Sequence, residues 1–298
     1  MVRAPPREVR GATDRMAMKK VSTKSWIAAL LMVGGTVLAP ARAHTTEGET
    51  RVEWYGNPCT EPVLMIPTDP ENVARHVPAS FPGSTEEFMS HVVTAPGPDG
   101  RPRATVVITL NRCATNEVVS TVHGEPRRSA GGDDFAEVLV MVLYDGPSSN
   151  AFEFYALADY VDAPELATAL RGLGLPTQHT PRLGYDLPAD PDSPEPGVVV
   201  PFSVEVPGAF AIDGEVVRPL AFDTGGHATH YFHGPRGFVS SEHDTPIGGM
   251  SSVQGTLTVT GPRGAWLGDL LGTSGPLPVG GFYLEKTGGH SHAATLEE

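Results

Sequence analysis

Phe135-Ala136-Glu137-Val138-Leu139-Val140-Met141-Val142-Leu143-Tyr144 is an apolar run carrying a single charge, on Glu137. It is Val- and Leu-rich, and Gly146-Pro147 follows it, so it reads as a strand buried on both faces. The neighbouring runs are β-like as well. Arg103 to Leu110 alternates around Val106, Val107 and Ile108, and Ala151 to Val161 is aromatic. Further strands are expected at Val52–Tyr55, Pro62–Ile66, Phe88–Thr94, Glu117–Val122, Val198–Val206, His230–Phe232, Gly237–Ser241, Ser251–Thr260 and Val279–Leu284. The chain has 34 Gly and 29 Pro, and they punctuate these runs. Short strands at this density, with turn signals between them, predict a barrel or a sandwich.

Three short helices interrupt the strands. Asp69-Pro70-Glu71 supplies a cap, a proline at the first helical position and an acidic first turn, and Pro78 stops the helix. Asp162-Ala163-Pro164-Glu165 repeats that grammar, with Gly172 as its stop, and Ala265–Leu271 closes at Gly272. Asp186 to Pro196 is rich in proline and aspartate and reads as an exposed loop. The chain is expected to form one β domain over 61–286. A lead-in over 44–60 precedes it, and a flexible tail over 287–298 follows.

Residues 1–43 read as an N-terminal extension and a cleavable secretion signal. Lys19, Lys20 and Lys24 form the positive segment, Trp26 to Leu38 the apolar one, and Ala41-Arg42-Ala43 the cleavage site. The apolar segment is shorter than the roughly 20 residues a spanning helix needs. The mature protein is therefore expected to be secreted or periplasmic, without stable membrane insertion. The formal net charge is −14, and removing the basic signal makes it more negative, which disfavours nucleic acid as a partner. The two cysteines, Cys59 and Cys113, are expected to pair in an oxidising compartment.

The order of elements resembles the acetoacetate decarboxylase-like superfamily. The matching features span roughly residues 60 to 285. They are a strand and short helix over Leu64–Phe81, a long strand with an acid near its start (Glu137), an aromatic strand, an Asp-x-Pro-x-Leu helix, and then Gly174-Leu175-Pro176-Thr177-Gln178-His179. The resemblance implies a mainly β, antiparallel β-barrel or cone with a few short helices. A β-sandwich and a lipocalin-like barrel remain the alternatives. It also implies a pocket for a small organic molecule. Family members form a Schiff base through a lysine after the Gly-x-Pro turn. Here Thr177 and Gln178 fill those slots, and Lys286 is the sole lysine after residue 24. Imine catalysis is therefore not expected.

Candidate residues follow from chemistry. A carboxylate in an apolar strand must be paired or carry a raised pKa, so Glu137 is the first candidate for acid/base work, as the resemblance also implies. Arg171 is placed to meet a ligand carboxylate or to cap its own helix. Glu153 and Tyr155 share a face of the aromatic strand and are candidate ligand contacts, as are Gln178 and His179. No organic cofactor is expected. Zinc or copper is the competing expectation, through His227, His230 and His233. His290 and His292 are candidates for adventitious metal. After cleavage, His44 becomes an N-terminal chelator for copper. The function expected is a secreted barrel that binds or transforms a small, partly apolar organic molecule. If it is an enzyme, lyase, isomerase or hydratase chemistry is expected. The alternatives are a non-catalytic carrier or a metal-binding protein.

Overall fold

The computed structural model describes residues 50–297, apart from 57, 115, 123–124, 130–134, 149–151, 182, 187–194, 223, 262–265, 274 and 287–289. The signal segment and His44 lie outside the described residues, as does most of the Asp186–Pro196 loop. In chain order the strands are β1 (Arg51–Gly56), β2 (Cys59–Thr68), β3 (Thr94–Pro96), β4 (Pro102–Cys113), β5 (Asn116–Val122), β6 (Glu125–Ser129), β7 (Phe135–Leu143) and β8 (Phe152–Val161). They continue as β9 (Thr177–His179), β10 (Gly184–Asp186), β11 (Val199–Val206), β12 (Phe210–Val217), β13 (Thr224–Gly234), β14 (Gly237–Thr260), β15 (Leu277–Lys286) and β16 (His290–Glu297). The helices are α1 (Pro70–Ala74), α2 (Thr85–His91), α3 (Pro164–Leu173) and α4 (Trp266–Leu271).

The long strand β14 is what closes the sheet. Its first part pairs with β13 and its later part with β15. The order β13-β8-β7-β4-β2-β15-β14 therefore returns to β13 and encloses an interior. Pairing is antiparallel except at β13–β8 and β8–β9. β16, β1, β5 and β6 extend the sheet from β14, and β10, β11 and β12 branch from its far end. Of the architectures expected, this is the barrel rather than the sandwich.

All nine residues of β7 are buried, in keeping with its unbroken apolar sequence. Ala136, Val138, Val140 and Val142 join Leu64, Ile66, Val106 and Ile108 in the outer core, while Glu137, Leu139 and Met141 face the barrel interior. Burying each large aliphatic contributes about 1.5–3 kcal/mol, and the buried charge must be compensated. A second apolar layer closes one end of the barrel. Leu166, Ala167, Leu170 and Leu173 of α3 pack there with Val52, Phe135 and Val161.

Cys59 and Cys113 are register partners on β2 and β4 and form a disulfide with Cα atoms 4.1 Å apart. On the chain-entropy description a loop of about 55 residues makes this worth about 4 kcal/mol. A Cβ on Gly56 would lie 2.3 Å from Cys113 Sγ, so the turn after β1 needs glycine to cross the bridge.

Four expectations are corrected. Phe88–Thr94 is not a strand. Ser84 caps α2 by accepting from Glu87 N at 3.1 Å, and the helix drives the fully buried Phe88 against Phe81, Tyr144 and Tyr155. The Ser84-x-x-Glu87 spacing is a capping signal, and it outweighs the β-like composition. Asp162 does not cap α3. It accepts from Ala136 N at 2.8 Å, Ala163 takes the cap position, and the helix runs on to a left-handed Gly174. The C-terminal stretch is not a free tail. β16 pairs with β14 on one side and β1 on the other, because both strands present backbone edges that need partners. The lead-in is likewise sheet, as β1. Among the described residues, no helix is long and apolar enough to cross a membrane.

Candidate functional site

The barrel interior holds two adjoining chambers. The outer one is a cavity of about 60 Å³, partly open to solvent, between Val63, Met65, Met141, Phe152, Met250 and Phe282. Glu61 and Thr109 are its polar groups from β2 and β4, and His227 also contributes to its wall. The inner one is a narrow cavity of about 20 Å³ against Leu139, Ala156, Leu170, Leu175 and Phe232, so a ligand larger than water enters it only as these side chains move apart. Its polar lining comes from Glu137, Asp159, Ser241 and two histidines.

Those histidines, His230 and His243, line both chambers and so form the partition between them. They come together through register. On the β13–β14 ladder His230 lies opposite Ser241, and His243 is its diagonal neighbour. The ring centroids are 3.7 Å apart, and Ser241 Oγ lies 3.2 Å from His243 Nε2. Charging both rings at this separation is strongly opposed by like-charge repulsion. Phe154 meets the His230 ring edge-on, and Trp54 meets the His243 ring in the same way.

A β-bulge turns Asp159 into the inner chamber. On β8, Phe152, Phe154 and Ala156 face the interior, whereas Tyr155, Ala158 and Tyr160 belong to the outer core. Register slips between Val140 and Met141, which face Ala158 and Ala156, so Leu157 is the extra residue. Beyond the bulge the inward positions change from even to odd, and Asp159 points in. Its relative exposure is 2%, low enough to exclude bulk water as its partner.

Thr177 is set beside it by the parallel β8–β9 pairing, in which Asp159 is the register partner of Thr177. The left-handed Gly174, with φ 102°, reverses the chain after α3 and allows β9 to return along β8. Thr177 Oγ1 donates to Asp159 Oδ2 at 2.6 Å, while Asp159 Oδ1 is buried without a hydrogen-bond partner. Burial pushes the Asp159 carboxyl up to about 7, with the Thr177 hydrogen bond opposing part of that rise. Across the β7–β8 ladder, Glu137 pairs with Val161 and Leu139 with Asp159, so Glu137 and Asp159 are diagonal neighbours. That places them about 7–8 Å apart at backbone level. Glu137 is buried, and Asn111 Nδ2 donates to its Oε2 at 3.4 Å.

The other sequence candidates have different surroundings. Arg171 is exposed on the last turn of α3 and donates to Thr168 Oγ1 at 3.4 Å, away from both chambers. Glu153 faces the opposite side of β8, where it accepts from Gly146 N, Ser148 Oγ and Tyr231 OH. It locks the β7–β8 turn to β13. Tyr155 is fully buried in the aromatic cluster, and its OH accepts from His233 N at 3.1 Å. Burial raises the Tyr155 hydroxyl and lowers the His233 imidazole from their usual values. Gln178 is exposed, and His179 Nε2 lies 3.1 Å from Asp162 O.

The three clustered histidines part company. His230 joins the partition, His227 borders the outer chamber, and His233 packs against Phe81 and Phe238 on the other face. Among the described residues no group of three or more His, Cys, Asp or Glu is arranged to hold a metal ion. Nor does a described lysine or arginine line either chamber. Lys286 ends β15 at the register of Cys59.

Sequence reasoning missed Asp159, Thr177, Glu61 and His243. Asp159 carries a signal of the kind that singled out Glu137, an acid in a largely apolar strand, which it shares with Glu153. His243 had none, since only the ladder brings it to His230.

Neither a protein-family model nor a curated protein matches the chain. Solved structures with a similar course of the chain do exist. One is an acetoacetate decarboxylase, with a TM-score of 0.45 and 12% identity over 82% of this chain and 86% of that one. Another is the enduracididine biosynthesis enzyme MppR complexed with pyruvate, with a TM-score of 0.42 and 16% identity over 86% and 91%. A third is an acetoacetate decarboxylase-like enzyme from Sphingomonas wittichii, with a TM-score of 0.38 and 13% identity over 88% and 96%. The likeness runs over most of each chain.

Proposed function

We propose that this chain is a secreted β-barrel protein that holds a small, partly apolar organic molecule in its interior and acts on it by proton transfer. One observation carries the reading: Asp159 and Glu137 both line the inner chamber of the barrel, and Asp159 Oδ1 is buried with no hydrogen-bond partner among the described residues. An orphaned carboxylate oxygen costs stability and is of no use to a passive apolar carrier. It suits a site whose ligand completes the hydrogen bond. An acid pushed to about 7 by burial is poised to give or take a proton near neutral pH. Asp159 is the proton-exchanging group, Thr177 orients it, and Glu137 with the His230–His243 pair supplies further polar contacts. The chemistry that fits is lyase, isomerase or hydratase-type proton movement. No imine step is assigned, since Thr177 and Gln178 stand where the resembling family carries its lysine.

Native mass spectrometry of protein purified from its secreting host is the test. A small organic molecule retained by wild type and lost from Asp159→Asn supports the reading. A ligand-free protein that also binds no member of a small-molecule panel contradicts it.

A further inference from the structure

We propose that the inner chamber takes its ligand through a primary ammonium group that donates to Asp159 Oδ1, with the ligand's hydrocarbon part lying against Leu139, Ala156, Leu170 and Leu175. This inference rests on the reading of the barrel interior as a small-molecule site, and it names the chemical class that the site selects.

The geometry is specific to a donor. Asp159 Oδ2 already accepts from Thr177 Oγ1 at 2.6 Å, so the free valence of the carboxyl is the buried Oδ1, on a residue that lines the chamber. A carboxylate oxygen accepts hydrogen bonds, and a charged donor makes the strongest such bond. The titratable groups that share this wall are Glu137 on β7, His230 and Tyr231 on β13 and His243 on β14. The wall already carries two carboxyl groups, Asp159 and Glu137, so it is not built to receive another carboxylate. The adjoining outer chamber adds Glu61 and three aromatic rings, Phe152, Phe154 and Phe282, which also favour a cation over an anion.

The proton is accounted for as follows. In the free protein near neutral pH, Asp159 is partly protonated. An ammonium ligand from water requires the carboxylate. When it binds to the protonated form, the Asp159 O–H bond breaks, its electron pair stays on oxygen, and that proton leaves to solvent. The N–H bonds of the ligand stay intact. Amine affinity must therefore fall as pH falls through the Asp159 titration. A group of pKa about 7 is about one-tenth ionised at pH 6 and nine-tenths at pH 8, so the amine should bind about tenfold more weakly at pH 6.

The experiment uses n-butylamine, n-butanol and sodium butyrate as matched probes, titrated by NMR into wild-type protein at pH 6, 7 and 8. Butylamine should bind at least about tenfold more tightly than either probe at pH 8, one hydrogen-bonded charge being worth that much. Its affinity should drop about tenfold by pH 6, and Asp159→Asn should abolish that pH dependence. If the Asn variant fails to fold, Thr177→Val gives a second reading, because losing the Thr177 hydrogen bond moves the pH profile to higher pH. Butanol or butyrate binding as tightly as butylamine, or a flat pH profile, overturns the ammonium inference while leaving the chamber as a binding site. Failure of all three probes to bind overturns the inference too. The broader reading then falls only if native mass spectrometry also finds no ligand.

Discussion

Replacing Asp159 with Asn should make the protein more stable, and increasingly so as pH rises. Asn keeps the shape and retains an acceptor for Thr177 Oγ1, but it cannot ionise. The magnitude follows from the shift. Burial raises the folded-state pKa from 3.8 to about 7. Between these values the folded state binds more protons than the unfolded one, so stability falls with rising pH. The Asp159 contribution is fully present below pH 4 and is lost as pH climbs through 7. Over the whole shift this amounts to about 4 kcal/mol at 1.36 kcal/mol per pH unit, and roughly 2–3 kcal/mol of it falls between pH 5 and pH 8. The group is wholly buried, so solvent screening does not reduce the figure much. Urea unfolding of wild type and Asp159→Asn at pH 5, 6, 7 and 8, with the disulfide intact, measures it. The variant should gain on wild type by roughly 2–3 kcal/mol across that range. Parallel stability curves would refute the reasoning, because they would mean that Asp159 titrates as an ordinary exposed carboxyl.

The remaining predictions concern the frame and the maturation of the chain. Cys59→Ala with Cys113→Ala should lower stability by about 4 kcal/mol, read from urea midpoints; a loss below 1 kcal/mol would remove the disulfide from the factors that hold the barrel. Glu153→Ala strands the donors of Gly146, Ser148 and Tyr231 and should cost roughly 3 kcal/mol, or roughly 6–12 °C of melting temperature, with a neutral result contradicting its structural role. Arg171→Ala should leave binding of any interior ligand unchanged, since that side chain is exposed outside both chambers; a large loss of affinity would return it to the site. Intact-mass analysis of the exported protein should give His44 as its first residue, and retention of residues 1–43 would contradict the secretion reading.

Much of the frame could be read from residue order because it depends on local patterns. The unbroken apolar run of β7 announced a strand buried on both sides, and Asp69 before Pro70 announced a helix start, with its side chain accepting from Glu71 N. The cysteines were legible because only two exist. Glu137 stood out as a charge where none could be solvated, and it does face the interior. What could not be read depended on events along the ladder. The slip at Leu157 decides whether Asp159 faces the aromatic core or the chamber, and nothing local marks it. Likewise, His243 meets His230 only because β14 folds back along β13, and Thr177 reaches Asp159 only through a parallel pairing across α3. The strand β16 was invisible for the same reason: its polar alternation forms a strand only where β1 and β14 leave open edges.

The claim on which the rest depends is that the inner chamber is the ligand site and Asp159 its polar anchor. A crystal of the mature protein soaked with n-butylamine at pH 8 tests it directly. The predicted result is ligand density in the inner chamber, with the nitrogen within about 2.7–2.9 Å of Asp159 Oδ1 and the alkyl chain against Leu170 and Leu175. Density confined to the protein surface, or an inner chamber filled only by ordered water under saturating amine, would contradict it.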